Sequence, residues 1–279
     1  MMKQQFNTFR FDTATIDKNN SIKEQSSIAA RCFILEFDAG VNLEMVEIPG
    51  GSFPMGALAS EIGSRENERP VHQVNVSSFF MSKFPITQAQ WLAIIPTLPQ
   101  MGNKFYGSEL PVVNVWLEKA LEFCRRLKEL TNLPFRLPSE AEWEYACRAG
   151  TTTPFSFGQS ITTDFANFNG QLPYNNSSSG IFKQQTTPIG YFPFANGFGL
   201  FDMHGNVWEW CADIWHEDYT GAPSDNRAWL TSGDHSYCVQ RGGSWLDGAN
   251  RCRSAYRVGD VAHNTDNIVG LRLCLSKEN

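Results

Sequence analysis

Near the N-terminus, apolar and polar side chains alternate through Phe9-Arg10-Phe11-Asp12-Thr13-Ala14-Thr15-Ile16. The pattern breaks at Asp17-Lys18-Asn19-Asn20 and resumes in the apolar run Cys32-Phe33-Ile34-Leu35 and Phe37. Two such runs around a polar turn predict a hairpin or extension over residues 1–42. Met45-Val46-Glu47-Ile48 then enters Pro49-Gly50-Gly51, and Val74-Asn75-Val76 leads into Phe79-Phe80-Met81. These read as short strands separated by a long polar loop from Ala57 to Pro70. The period lengthens after that. Thr87 is placed to cap a helix over residues 88–95. Asn114 is placed to cap a run in which Val115, Leu117, Leu121, Cys124, Leu127 and Leu130 fall on or near one face. The clearest helix follows Ser139, where Ser139 and Glu142 form a capping box and Gly150 supplies the stop. Beyond Gly150 helical periodicity is lost, and Gly, Asn, Ser, Thr, Pro and aromatic residues dominate. A half of this kind must be loops pinned by short strands, and loops of that extent need fixed internal anchors.

Composition narrows the picture. The chain has 279 residues, enough for one large domain or two small ones. With 42% hydrophobic residues, including 8 Trp and 21 Phe, it can bury a sizeable core. No internal repeat is present, and Asn175-Asn176-Ser177-Ser178-Ser179-Gly180 is too short to link two domains. The formal net charge of -6, with no long Lys/Arg run, lacks the phosphate-neutralising footprint of a nucleic-acid binder, so no nucleic acid is expected as partner. No apolar stretch approaches a membrane span, and Met1-Met2-Lys3-Gln4-Gln5 does not open a signal core, so a cytoplasmic location is expected. The 7 Cys are odd in number and scattered without CxxC, which predicts reduced, buried thiols in place of a zinc site or disulfide framework.

A set of motifs then carries a resemblance. Met45-Val46-Glu47-Ile48-Pro49-Gly50-Gly51-Ser52-Phe53, Phe84-Pro85-Ile86-Thr87, Pro111-Val112-Val113-Asn114-Val115, Arg136-Leu137-Pro138-Ser139-Glu140-Ala141-Glu142-Trp143, Gly205-Asn206-Val207-Trp208-Glu209-Trp210, Arg241-Gly242-Gly243-Ser244-Trp245 and Gly270-Leu271-Arg272 occur in the order seen in formylglycine-generating enzymes. The chain from about residue 43 to its end resembles that family. The resemblance implies an α+β fold of the C-type-lectin-like, formylglycine-generating-enzyme type, loop-rich, with a small mixed sheet and a few helices. The family includes copper oxidases of a sulfatase cysteine, iron-dependent sulfoxide synthases and noncatalytic binding proteins, so individual positions must decide the function.

In the sulfatase-activating members a cysteine pair after the Gly-Gly-Ser-aromatic motif holds copper(I), as soft thiolates do. Here Asp247 takes the first position, and the shortened segment to Gly270 leaves Cys252 out of register with the second. The iron-dependent members carry their histidines largely in a further helical domain; His72, His204, His216, His235 and His263 show no paired spacing. Neither copper nor iron is expected, and no catalytic residue is assigned. Glu140 and Glu142 are read as spent on a helix start. The runner-up reading is an oxidoreductase relative with a degenerate site. Calcium stands differently. Asp202-Met203-His204-Gly205-Asn206-Val207-Trp208-Glu209 resembles the family's calcium loop, which implies Asp202, the carbonyls of Gly205 and Val207, and Glu209 as hard oxygen donors for a structural Ca2+. A second family site that would begin at Asn167 lacks its acidic partner.

The stretch from Arg241 to Leu273 also resembles the variable region of proteins diversified by retroelements, in which adenine mutagenesis of Asn codons excludes Lys, Glu, Gln, Trp and Met from varied positions. None of those five types occurs from Leu246 to Val269, although they make up about a fifth of the chain. Chance makes that absence rare. The resemblance implies a fixed frame of Cys252-Arg253-Ser254-Ala255, Arg257 and Gly270-Leu271-Arg272 between varied positions. The candidate ligand-binding residues are Leu246, Asp247, Gly248, Arg251, Tyr256, Val258, Asp260, Val261, His263, Thr265, Asp266, Asn267 and Ile268. Tyr256 is the expected anchor, with Asp247, Asp260 and Asp266 expected to select a basic or hydroxyl-bearing group on a protein ligand.

Overall fold

The computed structural model describes residues 3–17, 20–264 and 266–277. In chain order the elements are β1 (Lys3–Ile16), β2 (Ile22–Glu36), β3 (Asn42–Ile48), β4 (Gly51–Met55), β5 (His72–Val76), β6 (Phe79–Ser82), α1 (Gln88–Leu92), α2 (Leu117–Thr131), β7 (Phe135–Arg136), α3 (Glu140–Arg148), β8 (Trp208–Trp215), β9 (Asp234–Arg241), β10 (Arg257–Val261), β11 (Val269–Gly270) and β12 (Cys274–Ser276). Among the described residues, three sheets form. The largest runs β1-β2-β3-β6-β12-β7, a second runs β10-β9-β8-β11, and β4 pairs with β5. β11 joins β8 in parallel, whereas the other ladders are antiparallel. The fold is of the mixed α+β class with few helices.

The hairpin expected at the N-terminus is present and is no detached appendage. β2 pairs with β3 from Cys32↔Val46 to Glu36↔Asn42, so the hairpin extends the main sheet. Alternation is kept at its inner end: Ala14 and Ile16 on β1 and Phe33 and Leu35 on β2 are buried with half-buried residues between them, while Phe11, of opposite parity, and Cys32 are buried as well.

Capping explains where two helices start. Thr87 and Gln90 make a reciprocal box on α1, as Ser139 and Glu142 do on α3. α1 is shorter than the pattern predicted. It stops at Leu92, and the Ile94 and Ile95 amides turn back onto the Trp91 carbonyl just before Pro96, a residue whose predecessor avoids helical backbone. Asn114 is no cap. It sits in the left-handed region at φ 62°, its amide donates to the Gln100 carbonyl, and Trp116 precedes the first turn of α2. α2 turns Ala120, Phe123, Cys124 and Leu127 inward, with Phe123 stacked on Trp91 at 5.2 Å between ring centroids.

The loop-rich half is pinned by side-chain amides. Asn196 donates to the Ala146 carbonyl at 2.7 Å and accepts from the Phe198 and Leu200 amides. Asn206 accepts from Asn167 Nδ2 at 3.1 Å and the Thr187 amide at 3.0 Å, and returns a donor to the Thr187 carbonyl. These are the anchors that loops of this length require. All seven cysteines are free and buried. Among the described residues, no helix is long and apolar enough to cross a membrane.

Candidate functional site

The C-terminal segment is held by four arginines. Arg241, Arg253, Arg257 and Arg272 are each fully buried. Arg253 grips both carboxylate oxygens of Glu68 at 2.6 and 2.9 Å, reaches Glu61, and donates to the Gly63 carbonyl. Arg257 spans Glu140 at 2.7 and 3.0 Å and also takes the Asn67 and His216 carbonyls. Arg241 pairs with Glu144, and Arg272 with Glu209 at 3.0 and 3.1 Å. A buried guanidinium is tolerated only when such pairing replaces its water. One consequence is that the polar loop 57–70 is clamped across residues 250–257. Glu142 serves the α3 cap as expected and also pairs with Arg136, whereas the side chain of Glu140 serves Arg257 and the Tyr219 hydroxyl instead of the helix start.

Two glycines let the chain turn into this segment. Gly242 and Gly243 have φ of 99° and 74°, and a Cβ on Gly243 would lie 2.7 Å from Cys252 Sγ. The segment then passes through a short turn, Ala249–Cys252, into β10.

Against this frame the candidate face divides. Leu246, Arg251, Val261, His263 and Asp266 are exposed, Leu246 at 45%. Gly248, Val258, Asp260, Asn267 and Ile268 are half-buried, and Thr265 lies outside the described residues. Asp260 spends one oxygen on Gln240 Nε2 and Asn264 Nδ2. Gly248 has little room to vary, because a Cβ there would meet Leu172 Cβ at 2.7 Å.

Two candidates need correction. Asp247 is buried at 8% exposure, and its carboxylate accepts from Trp208 Nε1 at 2.8 Å, the Ser244 hydroxyl and Arg251 Nη1 at 3.0 Å. It is therefore an internal tie and no free anion on the face. Tyr256, expected as an exposed anchor, is fully buried, because Arg65 lies over its ring at 4.7 Å and Trp208 backs it at 6.1 Å. Among the described residues its hydroxyl has no hydrogen-bond partner. Arg65 itself was missed by sequence reasoning, since nothing in a long polar loop marks one arginine as facing a tyrosine almost two hundred residues on.

The thiols are placed for packing. Burial pushes Cys252 well above the usual thiol range and Cys147 up to about 12, so neither is a ready thiolate. The calcium candidates are more accommodating. Asp202 adopts φ 56°, and among the described residues its Oδ1 is buried with no partner, as is Oδ1 of Asn167, which lies against Asn206. Gly205 packs so closely on the Asn167 carbonyl that a Cβ would come within 2.3 Å. Glu209 accepts from Trp143 Nε1 at 2.6 Å as well as from Arg272, yet a carboxylate retains further lone pairs. An orphaned carboxylate oxygen suits a hard cation, although the Arg272 guanidinium already bonds both oxygens of Glu209. Among the described residues, no group of three or more His, Cys, Asp or Glu converges on a single metal position.

Elsewhere a cleft of about 640 Å³ opens behind loop 57–62, lined in part by Leu58, Ile62, Arg148 and Tyr174. Its charged groups are already committed, Arg148 to Glu144 and Glu61 to Arg253.

A sheet framed by buried arginine–glutamate pairs with a glycine-rich turn ahead of the C-terminal segment is the build of a known class. Residues 36–277 match the sulfatase-modifying factor enzyme 1-like domain, and the chain belongs to that family. It is 31% identical over 254 residues to the serine/threonine-protein kinase pkn1 of Chlamydia caviae, covering 82% of this chain and 37% of the kinase. The chain thus spans little more than a third of that relative. The solved structure of PvdO from Pseudomonas aeruginosa superposes with a TM-score of 0.73 at 31% identity, covering 84% of this chain and 94% of that one. Treponema denticola variable protein 1 superposes with a TM-score of 0.70 at 24% identity, covering 86% and 97%, a likeness of fold.

Proposed function

We propose that this protein is a noncatalytic ligand-binding member of the family, presenting the exposed side chains between Leu246 and Ile268 to a protein ligand. The observation that carries this reading is the division of burial within one segment. Cys252, Arg253, Ser254, Ala255 and Arg257 are sealed inside, while Leu246, Arg251, Val261, His263 and Asp266 stand in water. A surface that tolerates many side chains must be held in shape from elsewhere, and the four arginine pairs, costly to break once buried, tie the segment to the rest of the fold. The exclusion of five residue types from the same segment supports diversification at the level of codons. That the Treponema variable protein shares the fold is consistent with such a use of it.

The test is genomic and then biochemical. A near-copy of the codons for Leu246 to Val269, differing at adenines and lying beside a reverse transcriptase, is expected. Its absence would reduce the proposal to a binding face of fixed specificity. The competing reading, an oxidase of a sulfatase cysteine, has family membership in its favour. It is opposed by Asp247, tied to three donors where a thiol would be needed, and by a buried Cys252. Incubation with copper and a Cys-containing sulfatase peptide should give no turnover; turnover would overturn the binding reading.

The same reading includes a structural calcium ion held by Asp202, the carbonyls of Gly205 and Val207, and Glu209. A bound ion would neutralise the orphaned Asp202 oxygen and brace the loop that leads into β8. Ligand present at 100 times its Kd adds about 2.7 kcal/mol. Calcium should raise the melting temperature and EDTA reverse the gain, with Asp202→Ala insensitive to both; an identical melt of the unaltered protein in calcium and EDTA removes the ion.

A further inference from the structure

The face has a cationic end that its acidic sequence conceals. Asp247 no longer counts as an available anion, because it lies inside the fold against Trp208, Ser244 and Arg251. Arg251 commits one arm to Asp247 and keeps the rest of its guanidinium in solvent, its side chain 53% exposed. Arg65 has no carboxylate partner among the described residues; its neighbours Glu61, Glu66 and Glu68 are taken by Arg253 and Arg69. What Arg65 has is the ring of Tyr256 at 4.7 Å. Beneath it the Tyr256 hydroxyl is buried with no partner among the described residues, a state that costs free energy unless something accepts its hydrogen bond. Burial holds the phenol above its ordinary range against the pull of Arg251 and Arg65, so the group remains a donor.

Two guanidinium groups with unused donors and one stranded hydroxyl share a need that a carboxylate meets. Arginine forks accept carboxylates in paired hydrogen bonds, and a phenol adds a third donor of the right polarity. A Lys or Arg on a partner would meet the two guanidinium groups, while the carboxylates close by, Asp247, Glu66 and Glu68, already hold arginine partners.

We infer that the face receives an acidic side chain of its protein ligand between Arg65 and Arg251, with the Tyr256 hydroxyl as the third donor. This rests on the binding reading above and reverses the basic partner that the acidic residues of the segment suggested. Arg65 belongs to the clamped loop outside the diversified segment, so it supplies a constant charge beside interchangeable side chains. In docking, its guanidinium turns from the ring toward the carboxylate and uncovers the phenol.

Three displayed random-peptide pools serve as the probe: one with Asp and Glu as the sole charged residues, one with Lys and Arg, and one uncharged. Each is panned on the immobilised full chain in low and moderate salt. The acidic pool should be retained at least ten-fold better than the basic pool, and the preference should fade with salt. Arg65→Glu should invert it. Tyr256→Phe, which keeps the ring, should weaken the selected acidic peptides several-fold without lowering the melting temperature. Equal retention of acidic and basic pools, or a preference untouched by Arg65→Glu, overturns the inference. If uncharged or basic peptides are retained and then lost with Leu246→Asp, the binding face stands and its acidic specificity falls. If no pool is retained, both fail together.

Discussion

Within a single stretch from Arg241 to Arg272, two kinds of residue sit side by side and behave as if they belonged to different proteins. The frame residues Arg253 and Arg257 are inaccessible and hold three or more partners each, drawn from the loop 57–70, from α3 and from the backbone near β8. Leu246 and His263 touch water, and among the described residues neither side chain makes a hydrogen bond or ion pair. The difference teaches that recognition and stability need not be traded against each other residue by residue. If the exposed side chains bind a ligand as proposed, the two duties fall to different side chains of one segment, with residues 252–257 buried as a run.

The comparison breaks first at the carboxylates. Glu68→Ala leaves Arg253 buried without its main counter-charge, and a loss of about 3–5 kcal/mol is expected by chemical denaturation. A loss below 1 kcal/mol would mean that the pairs are ornaments. The turn into the segment comes next. Gly243→Ala forces a side chain into φ 74° against Cys252 Sγ, and roughly 1–3 kcal/mol should be lost. On the other side of the divide, Tyr256→Phe removes a buried hydroxyl that has no partner, so stability should hold or rise by about 1 kcal/mol. A clear fall would show that the hydroxyl has a structural duty and weaken its assignment to a ligand. Smallest of all, Leu246→Ser and His263→Asn should move the unfolding free energy by less than about 0.5 kcal/mol, read from the same denaturation curves.

What the sequence made legible followed local rules. The Ser139 and Thr87 starts and the hairpin depend on neighbours a few positions apart and are present, whereas the inward face of α2 is Ala120, Phe123, Cys124 and Leu127, with Leu121 and Leu130, which the pattern had counted on it, exposed. Asn114 was misjudged because a residue type favoured at caps is also one of the few that tolerates left-handed backbone, and here that second property is used. The motifs that announced the family are themselves frame: Arg241, Glu209 and Arg272 are where the buried charges meet. The face was harder. Composition marked its extent, but whether Asp247 and Tyr256 point outward depends on Trp208 and Arg65, which lie far away in sequence. No pattern of spacing encodes such a contact. The paired glutamates escaped for the same reason, since Glu140 sits where a helix start would explain it and yet holds an arginine 117 positions later.

That distance bears on how the chain assembles. The carboxylates of Glu68, Glu140, Glu144 and Glu209 are all made before the arginines that neutralise them, by as many as 185 positions for Glu68. β12, which follows Arg272, fills a slot between β6 and β7 in the main sheet. During synthesis the earlier part therefore waits with unmatched acids and a missing inner strand, and the closing step is delayed until the last segment emerges. If the segment is diversified as proposed, the rewriting takes place in the part of the polypeptide that locks the whole, and only positions outside that closure are free to change.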